Sequence, residues 1–116
     1  MIIKYHCVNI SSIHPKALVE FYNEILGIPI IEPDENYDGV SMGFIEDAPV
    51  IVIWDEVKWG KSSEGKVNFV FNCDDLDRTY AELKEKITNI QPPTTAAWGG
   101  RELTFCDPDG NKILLL

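Results

Sequence analysis

The chain runs twice through one order of patterns, strand, helix, then three strands, and that repetition limits its fold more than any single motif. In the first pass Tyr5 to Ser11 is a β-prone run. Pro15 then suits the first turn of a helix, Ala17, Leu18, Phe21, Tyr22, Ile25 and Leu26 recur at helical spacing, and Gly27 supplies the stop. Ile28 to Glu32, Gly39 to Ile45 and Val50 to Asp55 follow as strands, separated by turn-like segments around Pro33-Asp34 and Asp47-Ala48-Pro49. In the second pass Val67 to Asn72 is a strand, and Asp74 is placed to cap a helix carrying Leu76, Tyr80, Leu83 and Ile87. Ile90-Gln91 reads as a short strand cut off by Pro92-Pro93, and Arg101 to Asp107 with Lys112 to Leu116 as a closing hairpin. Three strands in succession imply antiparallel hairpins, which disfavours a parallel doubly wound sheet. The fold class is α+β: two βαβββ modules, residues 1–55 and 66–116, joined by a polar linker over 56–65.

The closing hairpin carries the sharpest local signal. In Asp107-Pro108-Asp109-Gly110, Pro108 presets φ, Asp107 can bond the backbone beyond it, and Gly110 accepts a positive φ. With 19 acidic against 10 basic side chains the net charge is −9, which argues against a nucleic-acid partner. No run is long enough to span a membrane and no apolar leader opens the chain, so a cytoplasmic location is expected. Cys7, Cys73 and Cys106 cannot all pair within one chain and contain no Cys-x-x-Cys, so three reduced thiols are expected.

His6-Cys7-Val8-Asn9-Ile10 with Ala17-Leu18-x-x-Phe21-Tyr22-x-x-x-Leu26-Gly27 resembles the opening of a vicinal oxygen chelate module, the superfamily of glyoxalases, bleomycin resistance proteins and extradiol dioxygenases. Asn72-Cys73-Asp74-Asp75-Leu76-Asp77 resembles the strand-to-helix passage of a second module. Trp98-Gly99-Gly100-Arg101 and Phe105-x-Asp107-Pro108-Asp109-Gly110-Asn111 resemble its end. The resemblance covers nearly the whole chain and implies paired modules whose mixed sheets curl into a cup, helices outside, with ligand or metal inside. It also implies a homodimer. One departure is His14, where the family usually has an aspartate before the first helix.

Strand alternation sorts the side chains between the two faces. Val8 and Ile10, Phe69 and Phe71, Leu103 and Phe105, and Ile113 and Leu115 belong to the core. Cys7, Asn9, Ser11, Asn68, Val70, Asn72, Glu102, Thr104, Cys106 and Leu114 belong to the cup. The family's metal ligands, carried over, fall on Cys7 (or His6), Ile51 or Ile53, Asn68 and Leu114. A divalent ion needs several imidazole or carboxylate donors converging at about 2 Å, and isoleucine and leucine offer none. No metal and no cofactor are therefore expected, and extradiol dioxygenase chemistry is disfavoured. His6, Cys7, Glu102 and Cys106 are the only candidates for a substitute metal site.

What remains suits neutral recognition: Cys7, Asn9, Asn68, Asn72 and Thr104 as ligand contacts, with Trp59 and Trp98 as aromatic walls. Trp98 precedes Gly99-Gly100, a flexible joint that would let the ring close over a ligand. Trp54 reads as core, and Trp59 alternatively as a subunit contact. The expected function is metal-free binding of a small organic molecule, in the manner of bleomycin resistance proteins. The alternative is a glyoxalase-type lyase, isomerase or epimerase with Glu102 as base, or with the substitute metal site; Glu102 is otherwise a solvated edge-strand carboxylate. A ligand-free structural or regulatory dimer is the third reading.

Overall fold

The computed structural model describes residues 1, 3, 6–46, 50–61 and 68–116, with Asn68 described by its backbone alone. Two compact units result, Met1–Gly65 and Lys66–Leu116, each built around a four-stranded mixed sheet.

In the first unit the order is β1 (Cys7–Ser12), α1 (Pro15–Glu20), β2 (Ile30–Glu32), β3 (Val40–Met42), β4 (Val50–Asp55) and α2 (Glu56–Trp59). The strands lie β1-β4-β3-β2, with β1 parallel to β4 and the other pairs antiparallel. Pro15 opens α1 as expected. His14 makes no side-chain cap; instead the Ser12 hydroxyl, fully buried, accepts the His14 N–H at 2.9 Å. Serine two residues upstream thus orders the helix start where aspartate is the better cap. From Phe21 the helix widens into a π-helical turn ending at Ile25. The Asn23 side chain then donates to Ile28 O at 2.8 Å, and Gly27 takes φ +75. The apolar stripe of this helix, Leu18, Val19, Phe21 and Tyr22, is buried with Ile10, Val40, Met42, Ile51 and Ile53.

The second unit runs β5 (Asn68–Phe71), α3 (Leu76–Leu83), β6 (Thr94–Thr95), β7 (Arg101–Cys106) and β8 (Lys112–Leu115), laid out β5-β8-β7-β6. Its first and last strands are again parallel neighbours. Phe69, Leu103, Phe105, Ile113 and Leu115 are buried on one face together with Leu83 of α3. Arg101 continues that face to the helix, where its guanidinium meets both Asp77 oxygens at 2.9 and 2.7 Å. That pairing lowers the Asp77 carboxyl below its ordinary value and raises the Arg101 guanidinium.

The α+β class and the doubled βαβββ order stand as expected; several boundaries do not. The cap of α3 is Asp75, whose side chain accepts the Arg78 N–H at 3.0 Å, while Asp74 pairs with the Arg78 guanidinium. Ile87 lies beyond α3, which gives way to turns and to Asn89 at φ +62. Ile90-Gln91 is not a strand: prolines 92 and 93 supply no N–H, and pairing begins after them, Thr94 opposite Glu102. The first four residues of the polar linker are helical, because Asp55 accepts the Val57 N–H at 2.9 Å and caps α2. The expected strand starts at Tyr5 and Val67 lie outside the described residues.

Candidate functional site

On the first unit's sheet, the face opposite α1 is laid out by register. Asn9 stands beside Val52, which has Ser41 on its other side, Ser11 stands beside Trp54, and Cys7 beside Val50. Trp54 is therefore not in the core. It is half-buried on this face, and its indole N–H donates to Asn9 Oδ1 at 3.0 Å, the same oxygen that the Cys7 thiol approaches at 3.4 Å. Beneath the ring lies Gly39 at φ +90, where a Cβ would come within 3.0 Å of the indole.

Trp59, on α2, meets Trp54 edge to face with centroids 6.3 Å apart. Its position is set from a distance in sequence by Asp38. Both Asp38 oxygens accept the Trp59 indole N–H, at 2.9 and 3.0 Å; Oδ1 also takes the Asp55 N–H at 3.1 Å, and Lys58 Nζ stands 3.3 Å away. Asp38 in turn leaves a loop organised by Asp34, whose Oδ2 accepts the Asn36 and Asp38 N–H groups. Nothing in the local sequence announced Asp38, because its partners lie on β4 and α2.

These donors hold the Asp38 carboxyl below its ordinary value, the Asp55 N–H first, then the Trp59 indole and Lys58, against a smaller opposing effect of desolvation. A carboxylate with a lowered folded value stabilises above the ordinary range and loses that contribution as pH falls through the lowered value. The Trp59 indole N–H resonance is therefore expected to stay fixed through the ordinary carboxylate range and to move only in stronger acid. Asp38→Asn should abolish that acid transition; a transition at or above the ordinary range would refute the linkage.

In the second unit, Val70, Leu114 and Thr104 form one row across β5, β8 and β7 on the face opposite α3. Cys106 faces Lys112, and Glu102 faces Thr94 at the margin. Thr104 and Cys106 are exposed, Glu102 and Leu114 half-buried. Trp98 sits in the turn between β6 and β7 and donates its indole N–H to Glu102 Oε2 at 3.3 Å. The structure thus gathers Cys7 and Asn9 with Trp54 and Trp59 in one unit, and Glu102 and Thr104 with Trp98 in the other. Asn72 is exposed just past β5, and the Asn68 side chain lies outside the described residues.

The places carried over for metal ligands shift at one point. Ile51 and Ile53 are buried on the α1 side, and Val52, paired with Asn9, lies between them on the opposite face. Neither valine nor Leu114 offers a donor atom. Among the described residues, no three His, Cys, Asp or Glu side chains are grouped to hold an ion. The residues present do not fit a divalent metal in that position.

The sequence model of the Glyoxalase/Bleomycin resistance protein/Dioxygenase superfamily matches residues 4–115. The chain belongs to this superfamily. A Bacillus subtilis (strain 168) relative, the uncharacterised protein YraH, is 31% identical over 109 residues, covering 84% of this chain and 85% of its own. TnmS3, an antibiotic binding protein from Streptomyces sp. CB03234, superposes with a TM-score of 0.76 at 23% identity, over 98% of this chain and 94% of that one. Lactoylglutathione lyase from Agrobacterium tumefaciens gives 0.76 at 13% identity, over 97% and 91%. At these identities the two structures establish a shared superfamily fold. Among the described residues no helix is long and apolar enough to cross a membrane.

Proposed function

We propose that this superfamily member binds a small organic molecule without a divalent metal, on the sheet faces that carry its indole side chains. The observation that carries the reading is the replacement of donor atoms by Val52 and Leu114 on the faces opposite the helices, with Trp54, Trp59 and Trp98 brought to the two sites instead. A site built from indoles, amides and hydroxyls binds by apolar contact and neutral hydrogen bonds and has no obvious acid–base pair. The likeness of fold to an antibiotic binding protein supports the same reading. The working form is proposed to be a cytoplasmic homodimer, which sedimentation at micromolar concentration would contradict by showing monomer alone.

Metal analysis of protein purified without chelator or histidine tag is expected to find no stoichiometric transition metal. A thermal-shift screen against small organic molecules is expected to yield stabilising ligands, while added zinc, nickel or manganese leaves the midpoint in place. One tightly held metal ion per chain would overturn the proposal.

Lyase, isomerase or epimerase chemistry remains the competing reading, supported by the fold shared with lactoylglutathione lyase and by the half-buried Glu102 carboxylate on the open face. In the form that uses Glu102 as base, rather than a substitute metal site, it requires that Glu102→Gln abolish turnover of a substrate found by that screen.

A further inference from the structure

Lys58 and Trp59 are neighbours on the short helix α2, where consecutive side chains ordinarily point apart. Asp38 gathers them. Its two oxygens accept the Trp59 indole N–H, and the Lys58 ammonium stands 3.3 Å from Oδ2 and 4.9 Å from the centre of the Trp59 ring. Carboxylate, ammonium and indole thus form a closed set made from the chain's own side chains.

The fold has little need of the lysine. Its side chain is 60% exposed, and an ion pair with one partner largely in solvent contributes little stability. Trp59 is held by Asp38, Asp38 by the Asp55 N–H, and the start of α2 by the Asp55 carboxylate, all without it. What the ammonium does occupy is the place a foreign cation would take, against an indole ring with a carboxylate alongside. The ring is 61% exposed, so that place would otherwise lie open to ligands.

The charge of the whole chain, −9, draws cations towards the protein and repels anions. An amine that arrives at α2 nevertheless finds the carboxylate paired and the ring already served by Lys58. An uncharged molecule meets neither obstacle and can still pack against the half-buried Trp54.

We propose that Lys58 is a specificity residue that fills the cation position between Trp59 and Asp38, so that the open face of the first unit takes uncharged organic molecules and turns away amines. This names a ligand class for the binding function proposed above and rests on it.

The probes are n-butylammonium, which reproduces the lysine head group and stem, and neutral 1-butanol. Both are titrated into the full-length protein at neutral pH while its three indole N–H resonances are followed, Trp59→Phe identifying one of them by its loss. In Lys58→Ala, n-butylammonium is expected to move the Trp59 signal at concentrations about tenfold below those the parent requires, with 1-butanol unchanged between the two. Lys58→Arg, which restores a cation, should return the parent's indifference, and adding Asp38→Asn to Lys58→Ala should erase the gain. The Trp59 indole N–H should exchange as slowly in Lys58→Ala as in the parent, because Asp38 still accepts it. No gain for the amine, an equal gain for 1-butanol, or a gain that persists in Lys58→Arg would overturn the assignment. Fast exchange of the Trp59 N–H in Lys58→Ala would also overturn it, since the lysine would then be a structural clamp. So would an amine from the thermal-shift screen that moves the Trp54 or Trp59 signal of the parent. Each of these outcomes leaves metal-free binding of small molecules standing, whereas stoichiometric metal removes that premise and leaves the Lys58 comparison readable.

Discussion

Replacing Asp107 with alanine is expected to cost about 3 kcal/mol of stability, read from the midpoint and slope of urea unfolding. Asp107 is a buried carboxylate, 5% exposed, at the reversal between β7 and β8. Its Oδ1 accepts the N–H groups of Asp109 and Asn111 at 2.9 and 2.8 Å, and its Oδ2 takes the Asn111 side-chain amide at 2.7 Å. The backbone closes the same turn, Asp107 N–H to Asn111 O at 2.9 Å and Gly110 N–H to Asp107 O at 3.0 Å, with Gly110 at φ +85. Alanine removes these three hydrogen bonds at once, and hydrogen bonds to a charged group are the costlier ones to lose. Asparagine keeps an oxygen for the two backbone donors and gives up the Asn111 amide contact. It should lose about 1 kcal/mol. An alanine variant within experimental error of the parent would refute this account of the turn.

Ile113→Ala is expected to cost about 3–4 kcal/mol, and Leu114→Ala, one residue along the same strand, less than about 1. Ile113 is fully buried in β8 and lies in register between Phe69 and Phe105, so truncation leaves a cavity that two flanking aromatic rings cannot readily fill. Leu114 points to the other face, half-buried between Val70 and Thr104, where water takes up the vacated space. The contrast matters for function as well as stability, because it reports which face of β8 is core. Equal losses at the two positions would mean that the face assignment, and with it the reading of Leu114 as a missing metal ligand, is wrong.

The sidedness of the second sheet was legible because its strands alternate cleanly: Leu103 and Phe105 against Glu102, Thr104 and Cys106. In β4 that test has no purchase. Val50-Ile51-Val52-Ile53-Trp54 is apolar in both phases, so only pairing with Asn9 reveals that Val52 and Trp54 share the open face. The closing hairpin was legible because aspartate, proline and glycine act on their own backbone, with no distant partner required. Asp38 was not, since its three donors come from Asp55, Trp59 and Lys58, which adjoin it only after β4 has paired. The helix α2 was hidden because a short polar segment gives no periodicity, and its one signal was the capping aspartate. Gly100 illustrates a subtler failure. A glycine after another glycine reads as flexibility, whereas here one serves a turn and the other makes space for a ring.

In each unit the opening strand lies beside the closing one, Cys7 opposite Val50 and Asn68 opposite Lys112. Roughly forty residues of intervening chain must be made before either parallel pair can form. During synthesis the opening strand therefore waits, its hydrogen-bonding edge uncommitted, until its own module is almost complete. Parallel pairing of strands that far apart in sequence is slow relative to helix formation, so the helices are expected to form ahead of the sheets that hold them. A ribosome-stalled chain ending before Lys112 should consequently show a protease-resistant first unit and a second unit that is still cut readily within β5.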